Sequence, residues 1–114
     1  MKHFIRWVTT LSLTICTTMA SAERLEVFRW QANSSSPEGL VQGMMAAAKI
    51  HEKYGATVGI YRMDVGSSGY PTFDYALRWD SGEDWARTKQ TNFNEEWQAF
   101  WSQAAQSPSG TLLW

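Results

Sequence analysis

Residues 72–80, TFDYALRWD, alternate between large apolar and polar or small side chains without a break. Successive side chains of a strand point to opposite faces, so Phe73, Tyr75, Leu77 and Trp79 share one face and Asp74, Ala76 and Arg78 the other. A sheet built around this strand has one face that needs thick apolar cover and a second face of mixed character. The rest of the chain must supply the cover.

Two helical patterns can do so. In residues 37–54, Leu40, Met44, Ala47, His51 and Tyr54 fall on one line at helical spacing, with Val41, Ala48 and Ile50 beside it. Ser35 or Ser36 is placed to cap this helix, and Gly55 to end it in a left-handed turn. A second helix is expected from near Glu83, with Ser81 and Asp84 as a capping box. It breaks around TNFN, where Asn92 and Asn94 favour caps, and resumes over residues 95–106. Trp97 and Trp101, one turn apart, read there as core. Strands are expected at 25–31, 56–64 and 72–80, with TLLW as a short last one. VGSSGYP reads as a mobile hairpin connection with Tyr70 near its tip.

The first residues, MKHFIRWVTTLSLTICTTMASAE, have a basic start, an apolar and hydroxyl-rich stretch, and small residues at Ala20 and Ala22. This is the layout of a secretory signal peptide cleaved after Ala22. The stretch is too short and too rich in threonine for a membrane span of about 20 residues. The expected domain is 23–114, small and single, in the periplasm or secreted. It would carry 8 Lys/Arg against 11 Asp/Glu and no cysteine, because Cys16 lies in the leader. A mildly acidic chain without a basic run is poorly suited to nucleic acid or an anionic membrane. Without disulfides, stability rests on apolar packing.

The order β-α-β-β-α-β with right-handed crossovers predicts an α+β, ferredoxin-like fold: a four-stranded antiparallel sheet with two helices on one face. The other face stays bare; it carries either the aromatics of 72–80 or the Asp74, Ala76 and Arg78 set, and a chain this aromatic is not expected to leave it in water. A second copy packed on that face forms a barrel-like homodimer.

Three stretches carry a family resemblance: KIHEKYGA at the end of the first helix, ALRWDSGEDW from the third strand into the second helix, and NEEWQAFWSQAAQSPSG near the end. The chain, over roughly residues 24–114, resembles the dimeric α+β barrel superfamily, with its antibiotic-biosynthesis monooxygenase-like, NIPSNAP-like and stress-responsive A/B barrel domains. The shared patterns are aromatic and small residues rather than a catalytic signature. The resemblance implies the fold and the dimer. It also implies a range of activities: cofactor-free monooxygenases, haem-degrading enzymes and isomerases. Oxygenases of this superfamily often combine Asn, Trp and His around the substrate.

Three groups of residues are candidates for chemistry. His51, the only histidine of 23–114, sits on the apolar arc of its helix and reads either as a general base or ligand at a pocket edge, or as helix-end architecture. Arg29, Arg62 and Arg78 lie inside strands with Asp64 and Asp74 nearby. They read either as anion holders beside a carboxylate base, or as cross-strand ion pairs. Trp30 and Tyr61 are the pocket candidates among the aromatics, because their strands also carry charges, and Tyr70 can close over a pocket. No metal site and no cofactor are expected, since one histidine without cysteine cannot form a typical zinc site.

The functional expectation is an exported homodimeric barrel that binds a small, mostly apolar ligand or serves an accessory role without turnover. The alternatives are a cofactor-free monooxygenase or isomerase acting on a phenolic or enolic substrate, and a structural or interaction module. In the enzyme reading His51 or Asp74 is the base and Arg62 or Arg78 steadies the oxyanion.

Overall fold

The computed structural model describes residues 22–63 and 69–114. The leader and Asp64, with most of the hairpin connection, lie outside the described residues. The elements are β1 (Arg24–Ala32), α1 (Glu38–Lys53), β2 (Thr57–Met63), β3 (Thr72–Trp79), α2 (Gly82–Lys89), α3 (Glu95–Gln106) and β4 (Gly110–Leu112). The strands form one antiparallel sheet in the order β2-β3-β1-β4. The result is an α+β fold with three helices rather than the expected two.

Register assigns the faces. Phe28 lies opposite Tyr75, Trp30 opposite Phe73, and Leu112 opposite Trp30. Val58 lies opposite Leu77 and Ile60 opposite Tyr75. This face carries the core. Phe73, Tyr75, Leu77 and Trp79 are buried together with Leu40 and Met44 of α1. Each such side chain contributes about 1.5–3 kcal/mol by leaving water.

α1 ends where expected: Gly55 has φ +106°, a left-handed conformation that suits glycine. Its start differs from expectation. The N-cap is Pro37, with no side-chain cap bond. The Ser36 hydroxyl turns to the Glu38 carboxylate instead. Ser81 does cap α2, accepting from the Asp84 amide at 3.1 Å.

The second helical region is divided because Asn94 restarts it. Its side chain accepts from the Trp97 amide at 3.0 Å and donates to the Tyr54 hydroxyl at 2.9 Å. One residue thus caps α3 and ties it to the end of α1. Thr88 makes the matching tie for α2. Its hydroxyl accepts from Trp79 Nε1 at 2.9 Å and lies 2.6 Å from the Tyr54 carbonyl, to which it donates.

β4 is shorter than TLLW, but the chain stays against β1 beyond it. The Leu113 amide donates to the Arg29 carbonyl, and the Arg29 amide donates to the Trp114 carbonyl, each at 2.7 Å. Gly110 permits close packing where β4 begins, since a Cβ there would meet Leu40 at 2.8 Å and the Gln31 carbonyl at 3.0 Å.

The second face has no helix among the described residues. Leu25, Val27 and Arg29 of β1, Tyr61 and Met63 of β2, and Asp74, Ala76 and Arg78 of β3 point to it by register. Leu25 is 67% and Tyr61 62% exposed.

Candidate functional site

Between the helices and the sheet lies a cavity of about 630 Å³. Its floor is Phe28, Trp30, Tyr75 and Leu77 of the sheet. Its walls come from α1 and α3, and the space exists because the facing residues are small. Gly43 and Ala47 stand on one helix, Ala104 and Ala105 on the other. A Cβ built on Gly43 would meet nothing within 4 Å. Phe93 and Trp101 also border the cavity and are 85% and 52% exposed, so they mark its mouth.

His51 lines this cavity from the last turn of α1. Its Nδ1 lies 2.6 Å from the Tyr75 hydroxyl, and its ring centroid lies 4.5 Å from that of Trp97. Burial lowers the His51 pKa to about 4; the Lys89 charge adds to the effect and Glu26 opposes it. The ring is therefore neutral at neutral pH. Burial raises the Tyr75 pKa, with the Glu52 charge a second cause, so the phenol keeps its proton.

On this side of the sheet Glu26 of β1 meets Lys89 at the end of α2. Glu26 accepts from Lys89 and from Trp85 Nε1 at 3.0 Å. Lys89 also lines the cavity, and its ammonium sits 5.7 Å from the Trp79 ring centroid.

The structure separates the residues expected to act together. His51 and Trp30 border the cavity. Asp74 and Arg29 lie on the helix-free face in a two-pronged ion pair: Nε donates to Oδ1 at 2.7 Å and Nη2 to Oδ2 at 2.9 Å. The Arg29 guanidinium beside it lowers the Asp74 pKa. Trp114 covers Arg29, with 4.5 Å from the guanidinium carbon to the ring centroid. Arg78 is exposed and pairs with Glu23 and Asp80. Tyr61 is exposed on the same face and folds back over Gly59, where a Cβ would meet its ring at 2.6 Å. Arg62 falls opposite Phe73 at the exposed end of β2, and Tyr70 is exposed in the connection before β3. Only Trp97 of the expected tryptophan pair is core. Trp101 stacks on Trp97 at 6.4 Å rather than on the sheet, and so reaches the cavity mouth.

Tyr75, Lys89, Asn92 and Trp97 complete the polar lining and were not singled out from sequence as site residues. Glu26 held a signal. It alternates in phase with Phe28 and Trp30, and a carboxylate on a core face calls for a partner, here Lys89 and Trp85.

Neither family models nor curated proteins give a match to this chain. Among solved structures, the chain is similar to a conserved protein of unknown function from Bacteroides thetaiotaomicron, described as a possible oxidoreductase. The TM-score is 0.56 at 12% identity, over 82% of this chain and 92% of that one. At that identity the likeness speaks to the α+β fold alone.

Proposed function

We propose that this is an exported, homodimeric protein of the dimeric α+β barrel kind that holds a small, mostly apolar ligand between its sheet and its helices. The observation that carries the reading is the cavity: about 630 Å³, largely aromatic and aliphatic, with a neutral His51–Tyr75 pair in its wall. Pockets for small organic molecules run from about 300 to 1,000 Å³ and have this make-up of apolar walls with a few placed polar groups. The strand order β2-β3-β1-β4 supports the ferredoxin-like assignment. The apolar residues exposed on the helix-free face support pairing with a second copy. The basic start and Ala20-Ser21-Ala22 support export.

Binding is favoured over turnover on acidity. With a pKa of about 4, His51 is a weak base. Taking a proton from a phenol of pKa ~10 onto it is uphill by about 8 kcal/mol. Asp74, the other candidate base, is paired with Arg29 on the opposite side of the sheet.

Native mass spectrometry of the purified protein tests this. The expected species is a dimer of chains cleaved after Ala22 that carries a small-molecule adduct or takes up bicyclic aromatic compounds. Ala47→Phe, which fills the cavity from α1, is expected to abolish that uptake while the dimer persists. A protein that binds neither such compounds nor a polarity-sensitive dye overturns the ligand reading.

A further inference from the structure

His51 has a second ring nitrogen, and the geometry at the first decides what the second can do. Nδ1 and the Tyr75 oxygen are 2.6 Å apart. Nitrogen donating to oxygen usually sits at about 2.9–3.0 Å, and hydroxyl donors sit closer. The Tyr75 hydroxyl makes no other hydrogen bond among the described residues, so Nδ1 is the acceptor for its proton. A neutral imidazole whose Nδ1 accepts carries its own hydrogen on Nε2. Nε2 in turn has no partner among the described residues. It is also reachable: of the side-chain nitrogens and oxygens sealed from solvent there, Trp97 Nε1 alone lacks a partner. The remaining ionisable group on the cavity wall, Lys89, is engaged by Glu26. No free charge is left to hold an ion.

We infer that Tyr75 fixes His51 as a hydrogen-bond donor, and that the cavity takes an uncharged, planar apolar molecule bearing an acceptor such as a ring carbonyl. The inference rests on the ligand-binding reading above and names the class of ligand. Trp30, Trp97 and Phe100 supply flat walls for a ring system. The acceptor oxygen takes the Nε2 hydrogen in place of water. Tyr75 is a positioning residue, since it acts through the imidazole.

Two measurements test this on the whole protein. Long-range proton–nitrogen NMR reads the tautomer directly. In the chain cleaved after Ala22 His51 is the only histidine, so its signals stand alone; in uncleaved protein His3→Gln identifies those of His3. Nδ1 of His51 is expected to show a pyridine-type shift and Nε2 a pyrrole-type shift. In Tyr75→Phe the preference relaxes. The reverse pattern in the wild type overturns the inference.

Calorimetric titration then compares 1-tetralone, a neutral bicyclic acceptor, with indole, a bicyclic donor of similar hydrophobicity. The ketone is expected to bind about tenfold more tightly, because a buried donor left unpaired is costly. Equal binding, or tighter binding of indole, overturns the ligand class. If neither binds while the Nδ1 shift is pyridine-type, the cavity reading itself has failed and the ligand class falls with it, but the tautomer stands.

Discussion

Acidification is expected to destabilise this protein through His51 well before its carboxylates titrate. The free imidazole has a pKa of about 6.5, and burial against Tyr75 and Trp97 lowers it to about 4 in the folded chain. The unfolded state therefore binds the proton first. The stability gained by keeping the ring neutral is fully present above the unfolded value and is lost as pH falls toward the folded one. Between about pH 7.5 and pH 4.5 these two values imply a loss of about 2.5 kcal/mol, and about 2 kcal/mol if the folded pKa lies a unit higher. For a small domain that is a large share of a total of about 5–15 kcal/mol. The assay is urea unfolding at both pH values for the wild type and for His51→Gln, which keeps an acceptor for the Tyr75 hydroxyl but cannot titrate. Asp74 and Glu96, whose pKa values are lowered by Arg29 and Lys53, lose their contributions at lower pH and are common to both proteins. The wild type is expected to lose about 2 kcal/mol more than the variant. Curves that fall in parallel, within about 0.5 kcal/mol, would show that the ring is not held neutral by its surroundings.

Thr88→Val keeps the shape of a buried side chain but leaves Trp79 Nε1 without its acceptor, and urea unfolding is expected to show a loss of about 1–3 kcal/mol. The helix-free face predicts that the protein sediments as a dimer at micromolar concentration. Leu25→Lys with Tyr61→Lys is expected to give a monomer that still binds the cavity probe. A wild type that sediments as a monomer at tens of micromolar refutes the pairing.

The sequence makes legible which residues of β3 share a face, because strict alternation groups Phe73, Tyr75, Leu77 and Trp79; that the helices cover this group, and not the Asp74, Ala76 and Arg78 set, is seen only in the packing. The end of α1 is legible for a similar reason, since Gly55 offers the left-handed turn that other residues resist. The location of the site is much less so. Arg29, Asp74 and Arg78 are three of the charged residues that the strands offer as candidates, yet register sends them to the side of the sheet away from His51. The volume beside His51 depends on how far α3 stands from α1. Gly43, Ala47, Ala104 and Ala105 leave that space open, but small residues on facing helices read equally well as close helix packing. Trp101 shows the same limit. Spacing places it on the stripe with Trp97, but whether a strand lies beneath that part of α3 is a tertiary fact.

The seating of Trp114 has a practical consequence. Its carbonyl is bonded to the Arg29 amide and its ring rests on the Arg29 side chain, which points away from the helices. Any peptide fused after it, an affinity tag included, would emerge at the β4 edge of the sheet, beside the surface proposed to meet a second chain. Subunit stoichiometry should therefore be measured on protein whose handle has been cut away or moved to the opposite end.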